Sequence, residues 1–101
     1  MNYQTQEELL AAFQDKMGEV LTKKGNDYSE GDCLSNFKHV AKITGTTPER
    51  VVLTMIGIKV ARLGVLLSTG KEVKNESIED SILDLANYTF LLQCTIQDKT
   101  F

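Results

Sequence analysis

The stretch VVLTMIGIKVARLGVLL, Val51 to Leu67, decides how the rest of the chain is read. Its apolar residues do not keep to one stripe but run nearly all the way round a helix, the mark of a helix enclosed on most sides. Thr47 stands ahead of it as a cap, and Pro48 takes the first helical position, where a missing amide costs nothing. Gly70 supplies a stop, so the helix is expected from Thr47 to about Ser68. Two interior glycines, Gly57 and Gly64, each cost roughly 1 kcal/mol against alanine. With Ala61 and Ser68 they form a stripe of small residues at helical spacing. Such a stripe lets two backbones approach closely, so it marks a contact line with another helix, inside the chain or across subunits.

Two charges interrupt this helix. Lys59 and Arg62 lie three residues apart and share a face. Charges of this kind are almost never buried without a partner. The last helical pattern offers partners: Glu76, Asp80, Asp84 and Asn87 follow at offsets of four, four and three, which makes one polar stripe. Leu83, Ala86, Phe90 and Leu91 occupy its other faces. Facing stripes of opposite sign predict a charged seam between the two helices. In a structural reading, Lys59 and Arg62 neutralise Asp80 and Asp84 and fix helix register, while Asp80 also closes its own cap. In a functional reading, the carboxylates Glu76, Asp80 and Asp84 hold Mg²⁺ through hard oxygen ligands, and the two cations hold the phosphates that such a metal accompanies.

Outward from these helices, start and stop signals give two more. Thr5-Gln6-Glu7-Glu8 fits a capping box. The first helix then carries an apolar stripe through Leu9, Leu10, Phe13, Met17, Val20 and Leu21, with Gly25 as its stop. A short helix is expected from about Cys33 to Ile43, capped by Asp32 and broken by Thr44-Gly45-Thr46-Thr47. The last helix opens at Ser77, with Asp80 in the place of a capping-box glutamate, and continues to about Gln97. Strand-type alternation is weak and there is one proline. The fold class is therefore all-α, a small four-helix bundle forming a single domain over residues 1–101. Four short helices can hardly surround one of their own members, so a homo-oligomer is expected to cover the rest of the third helix.

The connection KGNDYSEGDCLSNF, Lys24 to Phe37, concentrates hydrogen-bonding groups between the first two helices. In a ligand-binding reading, Tyr28 stacks on a nucleobase, for about 1–3 kcal/mol. Asn36 reads the base edge or a ribose hydroxyl, Lys24 meets a phosphate, and Asp27 lies at the rim. In a structural reading, Asn, Asp, Ser and Gly form turns, and Tyr28 and Phe37 staple helix ends.

Composition narrows the partners. A net charge of −3 and a pI near 5.1 argue against a nucleic-acid backbone, because no basic excess exists to displace counterions. Cys33, Cys94 and the single histidine, His39, have no zinc-ligand spacing. The MNYQTQEELL start lacks a charged-then-apolar signal pattern, which predicts a cytoplasmic protein with free thiols. Val51–Leu67, holding Lys59 and Arg62, reads as too short and too charged for a membrane span.

The order KGNDYS…DCLSNF, TPERVV, IKVARL and NESIEDSILDLANY, from about Leu21 to Leu92, resembles the phage and prophage family called nucleotide modification associated domain 1. The resemblance rests on Asp27-Tyr28, Asn36-Phe37, Lys59-x-x-Arg62-Leu63 and Glu76-Ser77 through Tyr88. More distantly, the last helix is similar to that of MazG-type all-α nucleoside triphosphate pyrophosphohydrolases. Those use a paired-glutamate motif on one helix and Glu-x-x-Asp on the next to bind Mg²⁺. Glu76 with Glu79 or Asp80, and then Asp84, would stand for the second motif. Where the first is wanted, this chain has Lys59-x-x-Arg62.

Three expectations follow. One is a helical oligomer that binds, and sequesters, a phosphorylated nucleotide or nucleotide-derived signal, through Lys24, Asp27, Tyr28, Asn36, Lys59, Arg62 and Asn87. Another is a Mg²⁺-dependent hydrolase using Glu76, Asp80 and Asp84. The third is an interaction module whose seam only sets register.

Overall fold

Helix ends in this chain are fixed by short polar side chains and by glycines. The computed structural model describes residues 1–28, 31–70 and 77–98, with side chains in all of these except 24–28. Within them run α1 (Tyr3–Tyr28), α2 (Ser35–Thr44), α3 (Pro48–Thr69) and α4 (Ile78–Gln97), with no strand among the described residues.

The start of α1 differs from expectation. Asn2 Oδ1 accepts from the Thr5 amide at 2.8 Å, so Asn2 is the cap and the Thr5–Glu8 box does not form. Glu8 accepts from the Gln4 side chain instead. Asparagine is among the strongest cap residues, and using it orders an additional turn. The end of α1 differs too. The helix passes through Gly25 to Tyr28, and the positive-φ glycines are Gly31, Gly45 and Gly70. Asp27 and Tyr28 therefore belong to the last turn of α1 and not to a loop. The side chains of Lys24, Asp27 and Tyr28 lie outside the described set.

Asp32 sets the start of α2. Its Oδ1 accepts from the Leu34 amide at 2.9 Å, and its carbonyl accepts from the Ser35 amide at 3.1 Å. That turn uses up Cys33 and Leu34, so the helix begins two residues later than expected. Gly45 closes it at φ 71°, in the left-handed region that glycine reaches without a Cβ penalty. α3 and α4 follow their sequence signals closely. Thr47 Oγ1 accepts from the Arg50 amide and Gly70 caps α3. The Ser77 hydroxyl accepts from the Asp80 amide at 3.0 Å, and the Asp80 carboxylate accepts from the Ser77 amide at 3.4 Å.

α4 packs along α3, α2 against α3, and α1 against α4. Among the described residues the buried apolar side chains are few: Leu34, Ala41, Val52 and Leu66, with Pro48 also buried. The radius of gyration is 15.4 Å, against about 13 Å for a compact domain of 100 residues. Leu9 and Leu10 lie exposed on α1, and cover begins only at Phe13.

α3 is two-faced. Val52, Leu66, Lys59 and Arg62 turn toward the other helices. Leu53, Gly57, Val60, Ala61, Gly64, Leu67 and Ser68 lie on the opposite, exposed side. Among the described residues, a Cβ added at Gly57 or Gly64 would meet nothing within 4 Å, so none of them packs on the small-residue stripe at these two glycines. Counted from Pro48, α3 reaches 22 residues and is long and apolar enough to cross a membrane, so the expectation that it is too short does not hold.

Candidate ligand-binding site

Positions three and four apart on a helix share a face. On α4 this brings Asp84, Asn87, Tyr88, Leu91 and Cys94 to one side. Val20 and Leu21 of α1 stand opposite, with Cys33 and then Asn36 and Phe37 of α2. Between them is a cavity of about 270 Å³, which Phe90 also borders. Its walls are mainly apolar and aromatic, with Asn36, Asp84 and Asn87 as polar points.

Asn87 is the unusual member. It is only 6% exposed, and among the described residues neither its Oδ1 nor its Nδ2 has a hydrogen-bond partner. A buried polar atom left unsatisfied costs about 1–3 kcal/mol. Native interiors rarely carry such a group without a use for it.

The charged seam is present in part. Lys59 Nζ lies 3.0 Å from Asp84 Oδ2, with the two side chains only 12% and 22% exposed. This pair sits at the edge of the cavity, because Asp84 also lines it. Arg62 is half-buried on the same side of α3. Asp80 is exposed, and its carboxylate turns back on the Ser77 amide. Glu76 lies outside the described residues. Among the described residues, no three His, Cys, Asp or Glu side chains stand close enough to share a metal ion.

Sequence reasoning found Asn36, Lys59, Asp84 and Asn87, which the fold brings together around one cavity and its edge. It gave Phe37 only an anchoring role and did not place Tyr88 or the two thiols there. Tyr88 was reachable, since it follows Asp84 by one helical turn. Cys33 and Cys94 come together only through tertiary packing. Burial pushes the Cys94 thiol above its ordinary value, and nearby Cys33 adds to the rise.

A second electrostatic feature had no sequence signal. Lys38 Nζ pairs with Asp32 and, at 2.8 Å, with Asp98, tying the turn before α2 to the end of α4. The hydrogen bond from Lys38 holds the Asp32 carboxyl below the usual range, helped by the Leu34 amide. Asp32 and then Asp98 raise Lys38 above the usual lysine value.

No protein-family model, no curated protein and no solved structure matches this chain.

Proposed function

We propose that the chain binds a phosphorylated nucleotide, or a signal derived from one, in the cavity between α1, α2 and α4. The observation that carries this reading is the mixed lining: Phe37 and Tyr88 beside the amides of Asn36 and Asn87, ending at the Lys59–Asp84 pair. Flat aromatic surface suits a base, and a half-buried cation at one end suits a phosphate. Lys59 exchanges Asp84 for the phosphate, and Arg62 adds its planar fork. The sequence also offers Lys24, Asp27 and Tyr28 as ligand contacts; their side chains lie outside the described set. The resemblance to the nucleotide modification associated domain 1 family supports the same reading and with it a role in phage-infected cytoplasm, where binding would sequester the ligand.

The MazG-like Mg²⁺-dependent hydrolase ranks second. Asp84 is engaged by Lys59 and Asp80 by its own cap, so a divalent ion would have to displace both contacts.

A second copy of the chain is the proposed cover for the outward face of α3. A membrane is the competing cover. It would place Lys59 and Arg62 at the middle of a span, where ionisable groups are costly.

Calorimetry with nucleoside mono-, di- and triphosphates and cyclic nucleotides, with and without Mg²⁺, tests the reading. Saturable binding that weakens roughly tenfold or more in Lys59→Gln is the expected result, on the scale of one lost charge-assisted hydrogen bond. Turnover of a triphosphate that needs Mg²⁺ and Asp84 would put the hydrolase first. Absence of binding across the panel would remove the nucleotide reading.

A further inference from the structure

Asn87 has a property that its place in the acidic stripe does not explain. Its amide is more than nine-tenths buried, faces a cavity large enough for a planar ring, and offers both a donor and an acceptor without a partner among the described residues. Had the position served packing alone, a leucine of nearly the same shape would fill it without an unmet polar cost. The side chains nearest along the helix do not relieve it. Asp84 is paired to Lys59 at 3.0 Å, and Tyr88 contributes a flat ring to the same lining.

We infer that Asn87 reads the Watson–Crick edge of a nucleobase inserted edge-on into this cavity. Every nucleobase carries a donor and an acceptor side by side on that edge, and a planar carboxamide can match them with two parallel hydrogen bonds, the bidentate geometry that asparagine uses on the N6/N7 edge of adenine in nucleic-acid recognition. The ring lies against Phe37 and Tyr88, and Asn36 approaches from α2. The inference rests on the nucleotide reading but assigns base recognition to α4, where the sequence pattern had pointed to Tyr28 and Asn36. It also separates the two ends of the site: the base is held by Asn87, the phosphate by Lys59 and Arg62.

The probes are uridine, cytidine, adenosine and guanosine, which lack phosphate, and ribose 5-phosphate, which lacks a base. At least one nucleoside is expected to bind the wild-type chain, and Asn87→Leu to weaken it roughly ten- to a hundred-fold, the range for losing a bidentate base contact. The same substitution is expected to raise the melting temperature of the ligand-free protein, because it removes a buried unsatisfied amide. A merely structural asparagine would give the opposite shift. Asn87→Ser, smaller and still polar, is expected to weaken nucleoside binding while leaving ribose 5-phosphate binding unchanged. If ribose 5-phosphate binds and no nucleoside does, the base assignment to Asn87 is overturned while phosphate binding stands. If a nucleoside binds equally well to wild type and Asn87→Leu, the assignment is overturned even though nucleotide binding survives. A lower melting temperature, or loss of folding, in Asn87→Leu would show that the amide is satisfied in the protein and would overturn it as well.

Discussion

The two sides of α3 are made of similar residues and meet different fates. Inward, Val52 and Leu66 are fully buried, and Lys59 is drawn into a pair with Asp84. Outward, Leu53, Val60 and Leu67 are 56%, 52% and 69% exposed, with Gly57 and Gly64 between them. The inward side was covered because α4 and α2 were available to pack on it. Among the described residues the outward side has no such element, since α1 packs on α4 instead. Hydrophobicity therefore says that a surface wants cover, and only the topology says whether the chain can supply it. The proposed second copy follows from that shortage.

The largest effect that would break this contrast is on the inward side. Leu66→Ala is expected to cost about 2–5 kcal/mol in denaturant unfolding, the range for truncating a buried leucine. A loss below about 1 kcal/mol would place Leu66 outside the core. Next comes the seam. Asp84→Ala leaves Lys59 without its carboxylate in a half-buried setting, and a loss of about 1–3 kcal/mol is expected, less than for a fully buried pair. Replacing both residues by apolar ones should recover most of that loss. A double variant as unstable as the sum of the single ones would show that the two charges do not interact.

The outward side gives a smaller effect with opposite signs in two measurements. Gly57→Ala should stabilise the helix itself by about 0.5–1 kcal/mol, because open space surrounds the added methyl group. If a second copy packs there, the same methyl group should weaken self-association in sedimentation experiments. Stabilisation with unchanged association would mean that another surface, or no surface, joins the copies.

The smallest effect contrasts the Lys59–Asp84 pair with the Lys38–Asp32 pair, whose carboxylate is the more exposed of the two. The Asp32 carboxyl is depressed when folded, so its contribution is present above the ordinary carboxylate pKa, about 3.9. It is lost as pH falls through the depressed folded value. Lys38 is raised, so its contribution is present below the ordinary lysine value, about 10.4, and lost as pH climbs through the raised one. Asp32→Asn should therefore lower stability at neutral pH and converge with wild type in strong acid. Parallel pH curves for the two proteins would exclude this bridge as a contributor.

Much of the fold was legible because its punctuation is local. Thr47-Pro48, Gly70 and Ser77 with Asp80 act within one helical turn, and the structure uses them as the sequence suggests. The errors arose where two local signals competed. Asn2 won over Thr5 because it is the stronger cap and lies further out. Gly25 did not stop α1, because a glycine permits the left-handed turn without requiring it. At the site, the spacing of Asp84 and Asn87 and the opposite sign of Lys59 were enough to place them together. The thiols and the Lys38 bridge were invisible, because each joins segments distant in sequence. The orphaned state of Asn87 was equally invisible, since lacking a partner is a property of packing.

The most direct test of a nucleotide in the cavity is a side-chain measurement at Asn87 itself. The two-dimensional nitrogen–proton spectrum resolves asparagine side-chain amides, and Asn87→Leu assigns this one by its disappearance. On titration with UMP, CMP, AMP and GMP, the Asn87 resonance is expected to move downfield and saturate with the same dissociation constant as the backbone amides of residues 84–91. An Asn87 resonance that stays fixed while other amides saturate, or a spectrum that does not change with any of the four nucleotides, would contradict nucleotide binding in this cavity.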